Sequence, residues 1–335
     1  MSKAGIVSKI EAQIAVPPPG LSMTRRRMGR RSLGDPAFRG FTVTCAAILA
    51  ALMATMFIVL IVDSWPSIKR FGAAFLWSKA WDVNSGHYGA LTAVYGTIFT
   101  TVIAMVIAVP LALAIALLLT ELAPPSVSRV VGTMIELLAA VPSIVFGMWG
   151  FFVIVPFMSN HFEPWIQSTW LGKLSIFQGA PVGQGFLTAG IVLAMMILPF
   201  ITAVSRDVLR MVPQVVKEAG YGMGSTTWEV TRKVSLRYGL SGIVGALFIG
   251  LGRALGETMA VAFLIGQSYD IQKTLFGTGN TIASTLANTF NEASDPLQRS
   301  ALIELGLVLF VITALLQLAA HLWLRKVRRA GGSRA

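Results

Sequence analysis

Arg253 and Glu257 stand four residues apart in an otherwise uncharged, glycine-rich stretch, Gly250-Leu251-Gly252-Arg253-Ala254-Leu255-Gly256-Glu257-Thr258-Met259-Ala260-Val261. Four residues is about one helical turn, so a continuous helix puts both on one face. An arginine at the centre of a membrane span costs roughly 2.5–3.5 kcal/mol on insertion scales, and such charges turn toward a polar pathway or a partner. Just upstream, from Pro213, runs a charged loop with Lys217, Glu218, Gly220, Gly224, Glu229, Arg232 and Lys233. A docking surface is thus joined to a route for something polar. Glu136 is a further carboxylate beside an apolar block; a few residues past a short inner connection, it reads as a wet gate or a packing residue.

The elements that hold these groups are membrane helices. Of the 335 residues 55% are hydrophobic and 13% charged, and the apolar ones are bunched into long blocks. Six blocks are long enough to cross a bilayer: Phe41–Val62, Ala90–Leu119, Val131–Met158, Val182–Ser205, Gly239–Ile265 and Ala301–Leu324. The second is overlong, which predicts tilt or a break at Pro110. Arg253 falls deep within the fifth. Gly252, Gly256 and Ala260 form a small-residue face suited to close helix contact, read as a partner's packing site.

The net charge of +12 is mainly a topology signal. With both termini on the inner side, twenty of the 27 Lys and Arg lie there and six lie outside: Lys69, Arg70, Lys79, Lys173, Lys273 and Arg299. The positive-inside rule then orients the chain. Anionic lipid headgroups, not nucleic acid, are the expected partners of this charge. Residues 1–40 read as a basic cytoplasmic tail, 41–88 as an anchor helix with an outer interfacial segment around Phe71–Trp81, and 326–335 as a second basic tail. In the outer loop, Ile282, Leu286 and Phe290 recur every fourth residue and predict a short amphipathic helix.

Several chemistries find no support. Cys45 is the one cysteine, so no intrachain disulfide or CxxC site exists. His87, His161 and His321 are scattered, and no HExxH or Walker A motif is present. Gly250-x-Gly252-x-x-x-Gly256 does not fit a dinucleotide-binding spacing. Neither a catalytic residue nor a metal site is expected, and any ATP used would be bound by another polypeptide.

The inner loop reads Glu218-Ala219-Gly220, three residues, Gly224, nine residues, Val234-Ser235-Leu236. It resembles the EAA loop of ABC-importer permeases, E-A-A-x3-G-x9-I-x-L-P, departing from it at Gly220, Val234 and Arg237. A short helix ended by Gly224 in the left-handed conformation fits this pattern. The stretch Gly250–Val261 resembles the C-type permease of bacterial phosphate-specific ABC importers. So do Thr120-Glu121-Leu122-Ala123-Pro124, Glu136–Gly147 and Glu304-Leu305-Gly306, and the likeness covers about residues 35–328.

The resemblance implies an all-α, polytopic permease of the type I ABC-importer (MetI-like) fold with six transmembrane helices, its domain at 89–325 and its coupling loop at 213–237. It implies a bacterial inner-membrane location, a second phosphate permease as heterodimer partner, an ATPase dimer docking on Glu218, Ala219, Gly220 and Gly224, and an external phosphate-binding protein. Inorganic phosphate would pass by alternating access beside Arg253 and Glu257. A guanidinium fork suits a tetrahedral oxyanion. An exchange, in which Glu257 holds Arg253 until phosphate passes, stands beside a fixed structural pair. An ion-coupled secondary transporter and a non-transporting membrane assembly factor are the alternatives, though no internal repeat supports the former.

Overall fold

The computed structural model describes residues 34–83 and 85–332, with side-chain surroundings given for 36–83 and 85–325. The basic tail expected at 1–40 therefore lies, up to residue 33, outside the described residues, as do the side chains of the tail at 326–335. The chain divides into two units at Met56. Described residues of the first form one helical stretch with its apolar side chains exposed, among them Phe41, Ile48, Leu49 and Leu52. Such a helix suits a lipid solvent, which satisfies no backbone group and so demands that the ladder be complete.

Six helices are long and apolar enough to cross a membrane: Pro36–Phe71, Leu91–Leu122, Ser143–Ser168, Phe186–Arg210, Thr227–Leu255 and Pro296–Arg325. They are called the first to sixth spans below. Six is the number expected, but two of them lie elsewhere than expected. The third begins at Ser143 and not Val131, because Ala140-Val141-Pro142 is a break. Proline disfavours the α conformation of the residue before it, so Pro142 ends one helix and caps the next. The preceding residues form a separate amphipathic helix, Pro125–Ala139. The fifth starts at Thr227, fixed by a capping box between Thr226 and Glu229, and stops at Leu255. Residues Met259–Leu264 are a separate short helix.

Pro110 does not break the second span; the helix runs through it from Leu91 to Leu117 and closes in a π-helical turn, Leu118–Leu122. Pro199 likewise sits within the continuous fourth span, buried.

The fourth span is the centre of the core. Leu193, Ile197 and Ile201 are covered completely or nearly so. Against them the second span presents Ala104, Ala108 and Ala112, all wholly buried, in one cluster with the fourth. An alanine every fourth residue lets two helices approach closely where no hydrophobic effect drives them together. The approach is close enough that a Cβ at Gly190 would collide with Ile103. Thr202 Oγ1 donates to Leu198 O (2.8 Å) and, at 3.5 Å, to Ala112 O of the second span.

At the opposite end from the loop, a two-stranded ribbon pairs Trp81 with Tyr88 and Asp82 with His87. Phe75, Tyr88, Ile282, Leu302 and Leu305 bury one another there. The short amphipathic helix expected from Ile282, Leu286 and Phe290 is present as Ile282–Thr289, started by a Thr281–Ser284 capping box.

Candidate functional site

The loop between the fourth and fifth spans folds as its spacing requires. Pro213 supplies the extended residue before the Gln214–Gly222 helix. Gly224 follows with φ at +79°, the left-handed value at which glycine lacks the usual steric penalty. Gly220 faces inward, where a Cβ would lie 3.1 Å from Val230 Cγ2. Glu218 and Ala219 sit on this helix beside exposed Val215 (74%), and Met223 just past its end is 82% exposed. Apolar side chains so bare at a loop tip form a surface fit for a protein partner.

One residue before Glu218, the loop helix is tied down. Lys217 Nζ donates to Glu121 Oε1 at 2.7 Å, and side-chain exposure is only 10% and 6%. Glu121 belongs to the π-helical end of the second span, so this buried pair joins the loop directly to a membrane helix. The pairing is not legible in the sequence, although Lys217 directly precedes one recognisable motif and Glu121 stands in another, because ninety-six residues of chain separate them.

Glu136 lies on the Pro125–Ala139 helix and not in a span. It accepts from Arg206 Nη2 at 2.6 Å, and Asp207 Oδ1 lies 2.9 Å from the same nitrogen. Arg206 is almost wholly covered while both carboxylates are more than half exposed. Room for the guanidinium comes from Gly132, one turn before Glu136, where a Cβ would collide with Arg206 Nη1. Glu136 is therefore exposed and ties the Pro125–Ala139 helix to the fourth span.

The Arg253–Glu257 pair is a correction. The helix carrying Arg253 ends at Leu255, so the two residues share no continuous face, and no ion pair links them. Glu257 Oε1 instead accepts from Ala260 N (3.3 Å), capping the short Met259–Leu264 helix. Gly256 weakens the helix, Glu257 supplies an acceptor for the next one, and Thr258 Oγ1 donates back to Gly256 O (3.2 Å). Arg253 occupies the last turn of its helix, exposed, with no hydrogen bond or ion pair among the described residues. Its cation sits favourably beside the terminal carbonyls.

The small-residue face is also corrected. A side chain at Gly252 would meet Gln317 of the sixth span, and Ala260 is buried against Gly147 of the third. These contacts lie within the chain. Of the three, only Gly256 remains exposed.

Two buried carboxylates are not foreseen from the sequence. Glu163 Oε2 accepts from Gly183 N (3.1 Å), and its Oε1 has no hydrogen-bond partner among the described residues; Glu304 is buried beside Ser67 of the first span. A carboxylate within an apolar block is the signal that points to Glu304, which lies in the sixth; Glu163 falls outside every block and has no such signal.

Residues 108–329 match the family model described as binding-protein-dependent transport system inner membrane component. The chain is 48% identical over 299 residues to the phosphate transport system permease protein PstC of Pasteurella multocida, covering 88% of this chain and 93% of that one. It is 44% identical over 318 residues to PstC of Mesorhizobium japonicum, covering 93% and 97%. Among solved structures it resembles a bacterial alginate ABC transporter in complex with an alginate-bound periplasmic protein, with TM-score 0.59, 14% identity, and coverage of 88% and 98%. It also resembles an inward-facing methionine ABC transporter, MetNI, with TM-score 0.54, 20% identity, and coverage of 70% and 94%. The fold is that of ABC-importer permeases. Placed by sequence as well as by fold, the chain belongs to the binding-protein-dependent transport inner membrane components and, among them, to the PstC family of phosphate transport system permeases.

Proposed function

We propose that this chain forms one half of the pore of an ATP-driven importer, moving inorganic phosphate across the bacterial cytoplasmic membrane by alternating access. The observation that carries the reading is Arg253: a guanidinium on an exposed face of a membrane helix, without a carboxylate partner among the described residues. A planar fork of N–H donors matches two oxygens of a phosphate, and in a low-dielectric setting the attraction is strong. With Glu257 engaged as a helix cap, the positive charge is not cancelled at contact distance.

The chain is the non-catalytic subunit; a dimer of ATPase subunits on the inner face would supply the energy. Its surface would meet Val215, Glu218, Ala219 and Met223, and Gly220 and Gly224 would shape the loop for it. Movement of the loop helix would pass through Lys217 to Glu121 and so to the second span. The Arg206–Glu136 clamp would keep the fourth span and the inner helix moving together. A second permease would cover the exposed face of the fifth span, and an external phosphate-binding protein would deliver the anion. The distribution of Lys and Arg supports an inner location for both termini. The first span would then be an anchor added to a five-span core.

Co-purification of this chain with an ATPase subunit, followed by ATP-dependent phosphate uptake into vesicles holding the assembly, tests the reading. Uptake that needs no ATPase would favour an ion-coupled transporter; stable assembly with no uptake would favour an assembly factor.

A further inference from the structure

At the loop end of the spans a cleft of about 540 Å3 opens between the end of the second span, the Pro125–Ala139 helix and the end of the fourth span. Its lining includes Arg129, Arg206, Arg210, Ser128, Thr133 and Glu136. Arg206 is spent on Glu136 and Asp207. The other two arginines are not. Arg210 Nη2 donates to Ser128 Oγ at 3.0 Å, and buried Ser128 Oγ donates onward to Leu119 O at 2.7 Å. That chain fixes the guanidinium in the cleft while leaving most of its five N–H donors unused. Arg129 has no ion-pair or hydrogen-bond partner for its side chain among the described residues.

Two unneutralised guanidiniums on one concave wall, one of them pre-oriented by a buried hydroxyl, form a receptor for a phosphate group. We propose that this cleft binds a phosphate-bearing anion through Arg129 and Arg210. The ligand chemistry is one and has two sources: free inorganic phosphate at the loop side of the membrane, or the headgroup of an anionic phospholipid in that leaflet. None of the lining residues belongs to the Gly250–Val261 segment, so the site is separate from Arg253. It adjoins the Lys217–Glu121 pair, because Leu119 and Thr120 line it. Occupancy would therefore stiffen the joint through which the loop acts on the second span.

The test uses the full chain in phosphatidylcholine nanodiscs, with amide hydrogen exchange read over residues 120–136. One arm adds inorganic phosphate; the other replaces part of the lipid with phosphatidylglycerol. Ligand present at about four times its dissociation constant slows exchange about fivefold where opening requires its release. Slowing by inorganic phosphate assigns the free anion, and slowing by phosphatidylglycerol alone assigns the headgroup. Either effect must vanish in Arg129→Gln/Arg210→Gln and persist in Arg39→Gln/Arg325→Gln, which removes equal charge elsewhere. Should the first double variant fail to fold, Arg129→Gln alone, at an exposed position, carries the same comparison. No slowing in either arm, or slowing that survives loss of the cleft arginines, overturns the proposal. Arg253→Gln should leave the effect intact, so failure of the transport reading and failure of this one are read separately.

Discussion

Lys217 Nζ lies 2.7 Å from Glu121 Oε1, and both side chains are almost wholly covered. A surface ion pair is worth little, but removing one partner of a buried pair strands the other at about 3–5 kcal/mol. Lys217→Met should therefore lower thermal stability by that order, and Lys217→Met/Glu121→Leu should recover most of it. If the pair also transmits movement, the double variant should hydrolyse ATP normally in the assembly but take up less phosphate per ATP. Stability and transport measured on the same preparations separate the two roles.

Gly132 makes the slot for Arg206. Gly132→Ala should displace the guanidinium, break its bond to Glu136, and cost about 1–3 kcal/mol as overpacking does. In an Arg206→Ala background the clash is gone, and the same substitution should instead stabilise by up to about 1 kcal/mol, the helix-propensity gain of alanine over glycine. A double-mutant cycle by thermal unfolding checks this.

Where the second and fourth spans cross, Ala108 has no exposed surface. Ala108→Leu should force the spans apart and destabilise by about 1–3 kcal/mol. Ala108→Gly should cost about 1 kcal/mol through helix propensity. Unfolding in detergent, with the two variants side by side, distinguishes overpacking from loss of contact.

Gly224 has a left-handed backbone, and a Cβ there would meet nothing within 4 Å. Gly224→Ala should therefore cost about 1–2 kcal/mol from backbone strain alone, and Gly224→Asn should cost less. Faster amide exchange over 214–223 in the alanine variant, and weaker capture of the ATPase subunit, are the expected readouts.

Much of the architecture is legible in the sequence because long apolar blocks and the loop spacing are strong local signals. The loop helix, its Gly224 stop and the Ile282–Thr289 helix all follow from a few residues each. Val131–Met158 and Gly239–Ile265 read from the sequence as continuous spans, yet each holds a helix break, at Pro142 and at Gly256. Each break is made jointly: Pro142 acts on the residue before it, and Glu257 takes the Ala260 N–H, a backbone donor that a continuous helix would have used. Pro110, by contrast, reads as a point of tilt or a break, and the helix runs through it unbroken. The Lys217–Glu121 and Arg206–Glu136 pairs join residues ninety-six and seventy apart, and sequence periodicity carries no information at that range. The Ala104, Ala108, Ala112 repeat is present in the sequence to be read as a helix-crossing stripe.

The most direct test of the account is ATP-driven phosphate uptake by the reconstituted importer carrying Arg253→Gln, with subunit assembly and basal ATP hydrolysis measured on the same vesicles. The account predicts an intact assembly that hydrolyses ATP and takes up phosphate at least tenfold more slowly, about 1.4 kcal/mol or more of lost stabilisation along the path. Uptake at the unmodified rate would contradict it.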